Sequence, residues 1–121
     1  MNNKEKGNLG EDIAAKYLEK EGYKILKRNY HYSKNAEIDI IAMDKKTLVF
    51  VEVKTRMTGV PGTGMMAVNS AKQKRITQAA LTYLMISRQT DRPIRFDVVE
   101  VNAESVIHIP NAFQPGKRFY R

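Results

Sequence analysis

Cysteine is absent from this 121-residue chain. That excludes a disulfide framework and a thiolate metal site. There are two histidines, His31 and His108, and neither has a partner at metal-ligand spacing; both read as structural or solvent-facing. No stretch approaches the roughly 20 apolar residues of a membrane helix. The start, Met1-Asn2-Asn3-Lys4-Glu5-Lys6, lacks the apolar core of a signal peptide, so a cytoplasmic protein with no membrane partner is expected. The glycines of segment 57–69 are not followed by Gly-Lys-Ser/Thr, which excludes a Walker A loop. Nothing in the spacing supports a Ser–His–Asp triad, and there is no internal repeat or low-complexity tract.

Acid is the minority charge. Thirteen Asp and Glu stand against 21 Lys and Arg, a net +8. That balance favours an anionic partner, nucleic acid ahead of an anionic membrane. With 42% hydrophobic residues, the chain supports one domain around a single core.

Against this scarcity, the acids inside apolar runs are informative. Thr47-Leu48-Val49-Phe50-Val51-Glu52-Val53-Lys54-Thr55-Arg56 reads as a strand of β-branched and aromatic residues. Alternation puts Leu48, Phe50, Glu52, Lys54 and Arg56 on one face. Charge therefore begins on that face where apolar burial ends, as at the rim of a cleft. A second strand, Glu37 to Met43, precedes it across the polar turn Asp44-Lys45-Lys46. In the resulting antiparallel hairpin Asp39 lies beside Glu52 and Lys54. Two carboxylates and a lysine suit metal-assisted hydrolysis: oxygen ligands hold Mg²⁺ or Mn²⁺, and such an ion activates water and neutralises phosphate charge.

The remaining elements follow in order. Asn8 to Glu21 reads as a helix with Asn8 as cap, an apolar stripe of Leu9, Ile13, Ala14, Tyr17 and Leu18, and Gly22 as its stop. Glu11 lies at the margin of that stripe; a first-turn glutamate is also favoured by the helix dipole alone. Tyr23 to Tyr32 reads as a strand carrying Arg28 and Tyr30 in a basic, aromatic run that can contact phosphates and stack on bases. The same mix also describes a half-exposed strand. Segment 57–69 is a loop, with a flap beside the cleft as its functional reading. Ser70 to Ser87 reads as a helix with Asn69 or Ser70 as cap and Ile76, Ala79, Ala80, Tyr83 and Leu84 buried. Its first turns hold Lys72, Lys74 and Arg75, cations that oppose the dipole and suit phosphate contact. Ile94 to Val101 reads as a strand, with Asp97 pairing an arginine rather than a metal. Val106 to Ile109 reads as a short edge strand ended by Pro110.

An acid on one strand, Glu-x-Lys on the next, and a preceding helix with a glutamate resemble the PD-(D/E)XK nuclease superfamily. The closer resemblance is to the YraN-like family of small bacterial proteins, which look like archaeal Holliday junction resolvases. It is carried by Gly10-Glu11, Gly22-Tyr23, Arg28-Asn29-Tyr30, Glu37-Ile38-Asp39, Phe50 through Arg56, Arg95 through Val99 and Asn111-Ala112-Phe113. Ala36 departs from it, standing where the family has Gly. The resemblance implies an α/β (α+β) restriction-endonuclease-like core, a central mixed sheet flanked by helices. It also implies one nuclease-like domain over 1–113, a basic tail over 114–121, and DNA rather than RNA as partner. Glu11, Asp39 and Glu52, with the Val53 carbonyl, would hold Mg²⁺ or Mn²⁺. Lys54 would handle the attacking water, and Arg28, Tyr30, Arg56, Lys72, Lys74 and Arg75 would contact nucleic acid. Glu37 ranks below Asp39 as a further acid. A homodimer is implied too, since symmetric cutting of two strands needs two sites. Two readings compete: a nucleic-acid-binding module of this fold without catalysis, and a basic interaction protein whose Glu52–Lys54 pair is a surface ion pair. Acids facing a polyanion repel it unless a cation intervenes, which favours the metal-dependent reading.

Overall fold

The computed structural model describes residues 2–34, 36–63 and 68–115. The elements are α1 (Asn3–Lys20), β1 (Lys24–Ser33), β2 (Ala36–Asp44), β3 (Thr47–Arg56), α2 (Ser70–Ile86), β4 (Ile94–Asn102) and β5 (Val106–Phe113). The strands form one mixed sheet in the order β1-β2-β3-β4-β5. β3 and β4 are parallel, joined across α2, and the other neighbours are antiparallel. A parallel pair requires such a crossover, whereas the polar turn after Asp44 returns β3 directly beside β2.

Two cores cover the two faces. Ile38, Ile41, Leu48, Phe50, Phe96 and Val98 pack under α2 with Ile76, Ala79, Ala80 and Leu84. Ile40, Ala42, Val49, Val51, Val53, Val99 and Val101 pack against Ala14, Ala15 and Leu18 of α1. The expected mixed sheet flanked by helices is what forms, an architecture compatible with a restriction-endonuclease-like core.

Helix α1 differs from its expected start. It begins at Asn3, capped by Asn2, whose side chain accepts a 2.8 Å bond from the Glu5 N–H and donates to the Glu5 carboxylate. This reciprocal cap outweighs the poor propensity of Gly7. Leu9, expected in the buried stripe, is 41% exposed. The seam instead runs through Gly10, Ala14 and Leu18, because small residues bring the helix close to the sheet. A Cβ at Gly10 would overlap the Thr55 hydroxyl. At the other end Gly22 adopts φ +94, and the Tyr23 N–H bonds back to the Leu18 carbonyl at 2.9 Å, the Schellman arrangement.

Strand β5 also corrects the sequence reading: it runs on through Pro110 to Phe113. Proline is tolerated there because β5 is an edge strand and the ladder bulges between the pairs Val98–Ile109 and Phe96–Phe113. Within the bulge Asn111 has φ +52 and aims its N–H at Asp97, 2.9 Å away.

Candidate functional site at a fork in the sheet

The ladder between β2 and β3 runs from Asp44–Thr47 to Ile40–Val51 and stops. Beyond that level β2 stays paired with β1 as far as Ala36, and β3 stays paired with β4 to Arg56. The sheet therefore forks at Asp39, with Glu52 opposite it across the gap.

Asp39 is turned into this gap by a break in alternation. Ile38 belongs to the α2-side core and Ile40 to the α1-side core, although residues two apart on a regular strand share a face. Directly across β1, between the pairs Arg28–Ile40 and Tyr30–Ile38, Asn29 has φ +53. Here β1 changes face too: Arg28 bonds Asp12 of α1 at 2.7 Å, while the Tyr30 ring packs edge-on to Tyr83 of α2. Asp39 thus lies in the plane of the sheet and accepts the Val53 N–H at 2.8 Å.

Glu52 comes from the α2 face of β3 and is 5% exposed. One carboxylate oxygen meets the Lys72 ammonium at 2.7 Å and that of Lys54 at 3.3 Å. Lys72 reaches it from the first turn of α2, which Asn69 caps by accepting the Lys72 N–H at 3.0 Å. Glu11 approaches from α1, brought in by the neighbouring close contact at Gly10, and one of its carboxylate oxygens is buried without a hydrogen-bond partner.

The electrostatics follow from crowding acids in a half-dry gap. Burial, then the charge of Glu52, pushes Asp39 up to about 8, against the opposing Val53 N–H. Burial also raises Glu11, with Arg28 opposing and Glu37 and Glu52 adding to the rise. Burial and the contact with Lys72 lower Lys54, although Glu52 works against them. At Lys72 burial acts downward, but the hydrogen bond to Glu52 prevails and the ammonium is held above its ordinary value.

The sequence-selected residues are thus divided. Glu11, Asp39, Glu52, Lys54 and Lys72 converge at the fork. Lys74 and Arg75 are exposed on α2, Arg28 is paired with Asp12, and Arg56 ends β3. Glu37 is exposed and faces His31 at 3.4 Å. Among the described residues, no three His, Cys, Asp or Glu side chains stand in a metal-coordinating arrangement; Glu52 is turned to its two lysines instead. Residues 64–67 of the expected flap and 116–121 of the tail lie outside the described residues.

Sequence reasoning passed over Glu100. It is fully buried, stands beside Lys54 in the parallel register, and accepts the Gly62 N–H at 2.7 Å. Its signal was an acid inside the run Val98-Val99-Glu100-Val101. Asp97 does pair with an arginine, receiving Arg95 through two 2.9 Å bonds, His108 at 2.7 Å and the Asn111 N–H.

The fold and this site define a mixed α/β protein with acids and lysines gathered where its central sheet divides. More particularly, the chain belongs to the uncharacterised protein family UPF0102, whose model matches residues 10–101, and this bears out the YraN-like resemblance at the level of the family. It is 48% identical over 118 residues to a UPF0102 protein of Geobacter metallireducens, covering 94% of this chain and 96% of that one. A UPF0102 protein of Chlorobium chlorochromatii is 49% identical over 102 residues, covering 84% and 78%. One from Clostridioides difficile is 44% identical over 115 residues, covering 93% of this chain and all of the other. No helix of the described residues is long and apolar enough to cross a membrane.

Proposed function

We propose that this protein is a metal-dependent endonuclease of the PD-(D/E)XK kind, hydrolysing phosphodiester bonds in DNA, with branched or structured DNA as the substrate class. The observation that carries the reading is the convergence of Glu11, Asp39 and Glu52 from three separate elements, close enough that Glu11 and Glu52 both raise Asp39. Folding pays to gather acids in this way, and a cation is the natural compensation. The donor set is hard oxygen, which suits Mg²⁺ or Mn²⁺, and the orphaned oxygen of Glu11 fits such a partner.

Glu11, Asp39, Glu52 and the Val53 carbonyl would hold the ion. The N–H and C=O of one strand residue point to the same side, so the Val53 carbonyl faces Asp39 with its amide. When bound, the ion supplies an activated water and offsets charge on the phosphate. Lys54, whose ammonium stands 3.3 Å from Glu52 and whose proton affinity burial lowers, would orient or help deprotonate the attacking water and stabilise charge on the phosphate. Lys72 neutralises Glu52 in the form described here. Releasing that pair frees both the carboxylate for a cation and the ammonium for a phosphate.

A panel of single-stranded, duplex, flapped and four-way DNAs, incubated with Mn²⁺ or Mg²⁺, tests the reading. Cutting by the wild type should vanish in Glu52→Ala and Lys54→Ala while DNA binding persists. The closed Glu52–Lys72 pair favours the competing reading, a binding module without catalysis. No cutting on any substrate, with salt-sensitive binding unchanged in both variants, would establish that reading instead.

A further inference from the structure

At the end of β3, beyond the acids, Arg56 lines a cleft of about 160 Å³ together with Thr58, Gly59, Val60, Asn102 and Glu104. That volume has room for an anion of several water volumes. The other half-buried arginines are engaged: Arg95 by Asp97 and Asp44, Arg92 by the Lys46 carbonyl. Arg56 makes no hydrogen bond or ion pair among the described residues, and its Nε is buried without a partner. Glu104 shares the cleft without pairing with it. A guanidinium carries five donors and a permanent charge, and leaving its buried Nε–H unsatisfied is costly unless a ligand completes it.

The position of Arg56 says which ligand. The register between β3 and β4 runs without a shift through Lys54–Glu100 to Arg56–Asn102, so Arg56 is on the face of Glu52 and Lys54. It lies two residues beyond Lys54, about 7 Å along the strand at roughly 3.3 Å per residue. That is close to the step between successive phosphates of one nucleic-acid strand.

We infer that Arg56 and its cleft form a seat for a phosphate group, and that the phosphate seated is the one next to the group at Lys54 on the same nucleic-acid strand. The inference rests on the proposed function for its direction along the strand. The seat itself stands on the unpartnered guanidinium and the cleft. A fork-shaped phosphate oxyanion matches the guanidinium better than the point charge of a lysine would. In this role Arg56 fixes the register of the backbone and carries no base information.

Two measurements on the full chain test it. The first follows the arginine Nε–H signals by NMR during titration with inorganic phosphate. The Arg56 signal should move and saturate; no response at Arg56 overturns the seat. The second measures the salt dependence of binding to single-stranded oligothymidylate in EDTA. Arg56→Ala should weaken binding and flatten the slope by about 0.7, the contribution of one phosphate contact on a single strand. Arg56→Lys, which keeps charge and fold, should restore the slope but not the full affinity. A phosphate response with an unchanged oligonucleotide slope, or no oligonucleotide binding at all, would assign the seat to free phosphate and overturn its place on a nucleic-acid strand. If Arg56 behaves as expected in both arms while the wild type cuts no DNA, the seat stands and the catalytic reading falls.

Discussion

At the scale of single residues, the site depends on one backbone conformation that brings an acid where strand geometry alone would not, and on one side chain that occupies a neighbouring acid. Asn29 holds a left-handed conformation opposite Asp39, and at that level both strands change face. Asparagine tolerates this region better than most residues, and glycine tolerates it fully. Asn29→Gly should therefore be close to neutral, whereas Asn29→Val should cost about 1–2 kcal/mol and loosen the Asp39–Val53 bond. Urea denaturation gives the first quantity and the Val53 amide proton shift the second. Equal stability and an unmoved shift in Asn29→Val would show that the conformation positions nothing. Lys72 is the other determinant, because it occupies Glu52 at 2.7 Å. If Glu52 is to hold a cation, Lys72→Met removes the competitor. Titration with Mn²⁺ alone should show tighter binding, by up to about tenfold for a gain of roughly 1.4 kcal/mol, while Asp39→Ala should weaken it. Weaker Mn²⁺ binding in Lys72→Met would mean that Lys72 supports the carboxylate cluster rather than competing with a metal.

At the scale of elements, the close seam between α1 and β3 decides whether Glu11 belongs to the site. Gly10 is buried against Thr55. An added methyl meets the Thr55 side chain and forces it or the helix to shift, at a typical overpacking cost of about 1–3 kcal/mol, even though alanine is the better helix former. Gly10→Ala should lower the thermal midpoint, and Gly10→Ala with Thr55→Ala should recover much of the loss; no recovery in the double variant would place the strain elsewhere. This seam also marks how far the sequence could be read. The hairpin, the meeting of Asp39 with Glu52 and the buried stripe of α2 follow from period and turn chemistry, which are local. Leu9 looked buried because periodicity ranks residues by apolarity, whereas the seam was chosen by smallness at Gly10. The left-handed Asn29, the bulge past Pro110 and the Lys72–Glu52 contact join segments distant along the chain, and no local pattern announces them.

At the scale of the whole molecule, two aspartates, Asp97 buried and Asp39 half-buried, should shape stability against pH in opposite directions. Asp97 joins β4 to β5 through Arg95, His108 and Asn111. Burial acts to raise it, but His108, Arg95 and Asn111 together hold it below its ordinary value. Its contribution is present above the unfolded value of about 3.9 and lost as pH falls through the folded one. Asp39 is the reverse. Raised to about 8, it keeps a proton in the folded chain that the unfolded chain has already released. Between about pH 4 and pH 8 the native state binds more protons, so stability must fall as pH rises, by up to about 1.4 kcal/mol per pH unit. From these two groups the metal-free protein should be most stable on the mildly acidic side. Asp39→Asn should flatten the decline toward pH 8 while leaving the acid limb in place. Asp97→Asn should cost about 3–5 kcal/mol, since it leaves Arg95 without its buried partner. That is a large share of the 5–15 kcal/mol of a typical domain. Denaturant melts in EDTA from pH 3 to pH 9 would measure both limbs. A wild-type profile flat or rising from pH 5 to pH 8, matched by Asp39→Asn, would mean that Asp39 is ionised in the fork and that the lysines already compensate it. A cation would then have less to supply there than the proposed function requires.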